Sequence, residues 1–347
     1  MSLSGPVFTS NSDCACILDR GDRQIEQQTD SRTCKERNDP MKRIVLSVAL
    51  VLLATGGSLS FASAPPVDRQ HERSNRALLL SSQHRAQADF WLCVGESLAE
   101  PPDRALRAIQ AAYSNRRSAE ALALQVFTAR EQACAMLGHV SYDPQIIPAQ
   151  FGTAITNPYA QVSPGLTLIR ERSTARGVER IETSMSTEVT VIGGVACRTV
   201  REHELLDGVL AEDTLNWVSQ HQNGAVWYFG EVVMKFEDGV LDNLQGSWRY
   251  GVEGVHPGVL ALATPAVGEV YRQEYWLGRA EDIARVVRLD ATVVVPAGVF
   301  EHCLVIEEWD PLEPFEYLLS FIAPNVGLVL EIDQGTGERS ELVQIVH

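Results

Sequence analysis

Four carboxylic side chains crowd the stretch EEWDPLE, namely Glu307, Glu308, Asp310 and Glu313. Paired carboxyl groups are the residues that perform acid–base work on glycosidic and related bonds, but the acid and the base must face one another across a cleft. Adjacency in sequence does not supply that, so the stretch reads as a solvated loop. His203-Glu204 opens like a zinc-protease helix motif, yet its second histidine is missing and the segment runs into Asp207-Gly208. His203, His221, His256, His302 and His347 contain no pair at i, i+2 or i, i+4, so no metal site is expected. Ser247 in GSW lacks the flanking glycines of a nucleophile elbow. Neither a phosphate-binding G-x-x-x-x-G-K-[ST] nor a strand-linked G-x-G-x-x-G occurs. No cofactor is expected, and no catalytic residue is assigned. Three polar or acidic side chains converging from distant strands in one cleft, with shifted pKa values, would change that reading.

Aromatic residues are the stronger signal. NGAVWYFGE, 223 to 231, sets three aromatics in a row. On a strand, Trp227 and Phe229 share one face and Tyr228 takes the other with Val226. Trp217, Trp248, Trp276 and Trp309 come from other strands. Most of these rings should fill a core; the functional alternative is that Trp227, Phe229, Trp248 and Trp276 line a concave binding cavity.

The strands that would carry them are marked by turns. Asp207-Gly208, Asn223-Gly224 and Asp238-Gly239 each sit between apolar, β-branched runs, and such dipeptides supply the positive φ angles of two-residue hairpins. Their spacing predicts four long antiparallel strands, which twist and coil toward a barrel or half-barrel. Further strand-like runs lie at 166–172, 179–191, 269–276, 283–295, 300–309, 316–322, 328–332 and 340–346. Pro265, Pro296, Pro311, Pro314 and Pro324 fall between runs, where the missing N–H costs least. Between Asn75 and Leu137 the period is helical instead, with Ala105, Leu106, Ile109 and Tyr113, then Leu122, Leu124, Val126 and Ala129. Two or three antiparallel helices are expected, broken at Pro101-Pro102-Asp103 and stopped near Gly138, with Phe90 and Trp91 facing their shared interior. The fold class is therefore α+β. A helical module over 65–150 is followed by a large, strongly curved antiparallel sheet over 151–347.

From Met41 the chain runs MKRIVLSVALVLLATGGSLSFASA, two basic residues, an apolar run and a small-residue end. That pattern makes 41–64 a cleaved signal peptide and places the mature protein in the periplasm or outside the cell. The apolar run is too short for a comfortable membrane span. The polar residues 1–40 then read as a disordered extension that a start codon set too far upstream would explain. Export permits disulfides, and one bridge per half is the simplest pairing. Cys93 with Cys134 is the expected bridge, while Cys197 and Cys303 are left open between a second bridge and two buried thiols.

The formal charge of -16 repels phosphate backbones, which argues against nucleic acid as a partner. Basic and acidic residues balance over 65–150, so the excess belongs to the β half, as a solvated face or an acidic rim that welcomes cations. NPY at 157–159, WYFGE at 227–231, GSWRYGVEGVHPG at 246–258, YRQEYWLGRAED at 271–282, EWDPLEP at 308–314 and APNVGLVLE at 323–331 resemble an uncharacterised family of exported bacterial proteins. The resemblance covers 151–347 and implies no activity. The leading expectation is an exported, non-catalytic protein whose curved sheet holds an apolar or amphiphilic small molecule. The alternatives are a structural or partner-binding envelope protein with a filled core, and a hydrolase of unknown substrate.

Overall fold

In the computed structural model, residues 69–347 other than Glu253 are described. The expectations for 1–40 and 41–64 lie outside those residues. Two helices come first, α1 (Arg69–Ser97) and α2 (Pro102–Met136). Pro102 occupies the first turn of α2, where its missing N–H costs nothing, and Pro101 has the extended backbone that ends the link. On α2 the buried residues Ala112, Ala123, Arg130, Ala133 and Cys134 recur at spacings that return to one helix face. The alanines among them let α1 approach closely. Trp91 does not join this interior; it is 59% exposed, and Phe90 instead carries the Arg116 guanidinium over its ring. Among the described residues no helix is long and apolar enough to cross a membrane.

No disulfide joins Cys93 to Cys134, so the expected bridge is not formed. Cys93 lies one turn from the hairpin's tip, whereas Cys134 lies at the other end, where α1 residues His71 and Asn75 meet α2. Nearly a helix length, about 40 Å, separates them, against the roughly 7 Å between Cα atoms that a disulfide tolerates. Cys134 Sγ stands 3.4 Å from His139 Nδ1 instead. Cys197 and Cys303 are free thiols and sit in different apolar clusters.

Beyond α2 the chain crosses the outside of the sheet as an extended strap, ends it in the 3₁₀ turn Pro148–Gln150, and enters β1 (Phe151–Gly152). The strands that follow are β2 (Thr167–Thr174), β3 (Gly177–Ile192), β4 (Val195–Leu206), β5 (Val209–His221), β6 (Val226–Glu237), β7 (Val240–Asn243), β8 (Trp248–Arg249) and β9 (His256–Ala261). The remainder are β10 (Val270–Arg272), β11 (Glu274–Tyr275), β12 (Ile283–Val295), β13 (Gly298–Trp309), β14 (Leu318–Ala323), β15 (Gly327–Asp333) and β16 (Arg339–Val346).

All pairings given by the register are antiparallel, and the main path runs β10-β12-β13-β14-β15-β16-β2-β3-β4-β5-β6-β9-β11. Its two ends, β10 and β11, are consecutive in the chain with only Gln273 between them. The sheet thus curls into a nearly closed barrel, and the single segment 270–275 is its seam. The Asp-Gly corners behave as two-residue turns, with Asp207 and Gly208 at φ 49 and 83° and Asp238 and Gly239 at 50 and 76°. The Asn223-Gly224 corner differs. His221 and Ala225 bracket a three-residue loop in which only Gly224 has positive φ, the type I turn plus left-handed glycine that is the next commonest hairpin.

Inward faces change character along the strands. Residues two apart share a face, and Val200 of β4 and Val218 of β5, both in the main apolar cluster, are followed on that face by Glu202 and by Asn216, Thr214 and Glu212. Leu168 of β2, in the same cluster, is followed by Arg170. One part of the barrel is a packed core. The other is a polar chamber.

Candidate acidic chamber

Three adjoining cavities of about 190, 240 and 310 Å³ make up the chamber. Asp282 and Glu308 border all three, Glu202 and Gln273 border two, and Glu231 and Glu274 border the larger two. These side chains arrive from β4, β6, the seam, the loop before β12, and β13. Residues far apart in sequence are thus opposed across one space, which is the arrangement that adjacency in EEWDPLE could not promise.

The expectation that this stretch is a solvated loop is corrected here. Glu307 points outward to Arg285, whereas its neighbour Glu308 points inward and accepts hydrogen bonds from Gln273 Nε2 at 2.6 Å and from the Ser320 hydroxyl. Strand parity required the two to part company, and the apolar residues Leu304 and Ile306 on the inward face of β13 were the available signal. Asp310 and Glu313 then turn the corner at the chamber wall.

Glu231 reaches the chamber through a β-bulge. Asn216 pairs with Glu231 and Val218 with Tyr228, so Phe229 and Gly230 together oppose Trp217. The extra residue returns Glu231 to the face that Tyr228 occupies. Gly230 is required there, because its φ is +133° and a Cβ would stand 2.5 Å from the Trp248 carbonyl oxygen. Tyr228 donates to Glu231 Oε2 at 2.9 Å and to Asn216 Oδ1.

Confinement raises the proton affinity of these acids. Burial, then Asp282 and other acids, lifts Glu231 to about 7, with the Tyr228 hydroxyl opposing. Burial lifts Glu308 to about 7 against its two donors, and burial with Asp282 lifts Asp310 to about 8. Burial likewise raises Glu202, which Arg170 partly offsets. The Glu274 and Asp282 carboxyl groups lie close enough to influence one another, and their contact raises Glu274 while it lowers Asp282. Burial and then the charge of Asp282 push Glu274 well above the usual carboxylate range, while the contact favours ionised Asp282 within a site whose burial still raises it.

The aromatic candidates are split between two faces. Trp227 and Phe229 lie on the face away from the chamber, where the strap covers them. Phe151 meets their rings edge-on at 6.0 and 5.3 Å, and Ile146 and Tyr250 complete that cluster. Trp248 lies cross-strand from Glu231, shares its face, and meets the Tyr228 ring edge-on at 5.0 Å. Trp276 is half-buried at the seam loop, with the Arg279 guanidinium 4.8 Å above its ring. The structure therefore brings Trp248 to the acidic wall and sets Trp227 and Phe229 behind it.

No family model, curated protein or solved structure matches this chain. Five of the six segments that carried the sequence resemblance nonetheless reach the chamber lining. WYFGE supplies Tyr228 and Glu231, GSWRY supplies Gly246, YRQEYWLGRAED supplies Gln273, Glu274 and Asp282, EWDPLEP supplies Glu308 and Asp310, and APNVGLVLE supplies Leu328 and Glu331. Among the described residues no group of three or more His, Cys, Asp or Glu has the closeness that a metal ion needs. A separate apolar groove of about 360 Å³ runs between α1 and α2, bounded by Leu78, Leu79, Ala123, Phe127 and, from the barrel, Gly278 and Leu312.

Proposed function

We propose that this chain is a binding protein whose barrel chamber takes up a small polar or amphiphilic molecule. One observation carries the reading: a hollow within an otherwise packed barrel, walled by carboxyl, amide and hydroxyl groups from strands on opposite sides. Keeping acids in such a wall costs stability, since burial disfavours their charged forms. A protein selected for stability alone would fill the space with the aliphatic side chains that fill its other part. Of the apolar or amphiphilic small molecule that the tryptophans suggested, the polar lining favours the amphiphilic kind, with Leu260 and Leu318 leaving room for an apolar portion. Export through 41–64 belongs to the same reading and places the binding role outside the cytosol.

Native mass spectrometry of the full chain purified from producing cells tests it. The expected result is a mass excess that denaturing extraction releases as a small molecule. A bare mass, together with no compound raising the melting temperature in a metabolite screen, overturns it.

A second reading is favoured by the Glu274–Asp282 pair. Two adjacent carboxyl groups, of which Glu274 is held further above the ordinary range than Asp282, can serve as acid and base, which suits a hydrolase. Release of a cleaved product by the wild-type chain, lost in Asp282→Asn, would select this reading over simple binding.

A further inference from the structure

We propose that the helical hairpin is the surface on which two copies of this chain pair, α1 of each lying against α2 of the other with both hairpin tips pointing the same way. Six exposed apolar side chains lead there, on a face separate from the chamber.

Leu80 and Trp91 of α1, Leu98 at its end, and Leu106, Tyr113 and Leu124 of α2 are each between 50% and 74% exposed. The first three are spaced by eleven and then seven residues, the second three by seven and then eleven, and eighteen residues make five full turns. Each trio is therefore one straight stripe. The groove residues Leu78, Ser82 and Asp89 stand about half a revolution from the stripe on α1, as do Leu122 and Val126 on α2. Gly278 and Leu312 of the barrel border that groove, so both stripes lie on the opposite side, away from the barrel. They are also level with one another. Arg130 donates to Ser74, and equal steps from that contact along the two antiparallel helices set Leu80 beside Leu124, Trp91 beside Tyr113 and Leu98 beside Leu106. Three apolar rungs cross one face.

The rungs fit a second copy of themselves. A twofold axis running along the hairpin lays the α1 stripe of each copy on the α2 stripe of the other, so every rung meets its own pair of residues at its own level. The same count sets Arg73 against Glu131 of the second copy, His84 against Glu120 of the second copy and Gln87 against Arg117 of the second copy, so like charges are not opposed. Reversing one copy would instead set Trp91 on Gln87 and Tyr113 on Arg117, which leaves both rings without an apolar partner. The six side chains expose about 700 Å² per copy, close to the roughly 800 Å² per partner of a stable interface and more than the few hundred Å² of apolar patch usual on a monomer. A net charge of -16 disfavours the other broad apolar occupant, an anionic lipid surface.

Sedimentation equilibrium of the full chain at micromolar concentrations tests the pairing, and the expected mass is that of two chains. Leu98→Glu alone and Leu106→Lys alone should each weaken association at least tenfold while helical circular dichroism stays unchanged. Mixing those two variants should restore it, because the new charges then meet on one rung. Trp91→Glu serves if either variant loses helix, and Val240→Glu, at an exposed apolar site on the barrel, should leave the mass at two chains. A single-chain mass at every concentration, association that survives the hairpin substitutions, or a mixture no better paired than its parts overturns the inference. So does cosedimentation with phosphatidylglycerol vesicles that Trp91→Glu abolishes, which would assign the face to lipid.

Discussion

Arg130 of α2 and Glu281 of the loop before β12 form a two-armed ion pair, Nε to Oε2 at 2.8 Å and Nη2 to Oε1 at 2.5 Å, with side chains 0% and 1% exposed. Asn75 and Ser74 of α1 accept from the same guanidinium at 3.1 and 3.2 Å, and the Gly278 N–H donates to Glu281 at 2.6 Å. The neighbour of Glu281 is Asp282, so the helical hairpin grips the loop that carries one wall of the chamber.

Breaking that grip on one side leaves a buried, uncompensated carboxylate. Arg130→Met is expected to cost about 3–5 kcal/mol, and adding Glu281→Met should restore much of the loss because two apolar side chains then replace two charges. Urea unfolding of the two variants checks this. A double variant no more stable than the single one would mean that Asn75, Ser74 and Gly278 depend on the charges.

Gly230→Ala strikes the bulge. The new Cβ would lie 2.5 Å from the Trp248 oxygen and 2.8 Å from Arg249 Cα at a φ that side chains rarely adopt, which should cost about 3 kcal/mol from overpacking and strain together. Because the bulge also aims Glu231 and seats β8, the Trp248 fluorescence should shift to the red in the native variant. An unchanged spectrum with unchanged stability would mean that the bulge relocates freely.

The bulge shows why the chamber was harder to see in the sequence than the fold. Turn dipeptides and period-two runs marked the barrel's strands well, and 283–295 is β12 to the residue. Strand parity breaks wherever a bulge inserts a residue, and 228–231 contains one, so Tyr228 and Glu231 share a face that alternation assigns to opposite ones. The seam was hidden for a different reason. The run 269–276 reads as one strand, yet it pairs with β12 on one side of Gln273 and with β9 on the other. The Arg130–Glu281 pair spans 151 residues and left no local pattern. Glu308 was within reach of parity alone; the proline-rich turn beside it made a loop the simpler reading.

Tyr228→Phe tests the hydrogen bond that restrains Glu231. The hydroxyl favours the ionised carboxylate, so its loss should raise Glu231 above its value of about 7, at a stability cost of about 1 kcal/mol. Carbon-detected titration of the Glu231 carboxyl reads the shift. A lowered value would mean that removing the phenol admits water that outweighs the lost bond.

The chamber acids also set how stability follows pH. Glu231 and Glu308 keep their protons to about pH 7 and Asp310 to about pH 8 in the folded chain, whereas in the unfolded chain such groups release them near pH 4. Between those limits the folded state binds more protons, and stability falls as pH rises. Their contribution is therefore complete below about pH 4 and is lost on passing through pH 7 to 8. Asp213, held below its ordinary value by Arg201 and His203, acts in the opposite sense and contributes above that value, losing its effect only in acid. The urea midpoint of the ligand-free chain should accordingly be higher at pH 5.5 than at pH 8. Glu308→Gln, which cannot ionise, should flatten the difference and raise the midpoint at pH 8 above that of the wild type. A midpoint that rises from pH 5.5 to pH 8 in the ligand-free chain would show that the chamber acids are solvated and ionised, and the proton-holding wall described here would not stand.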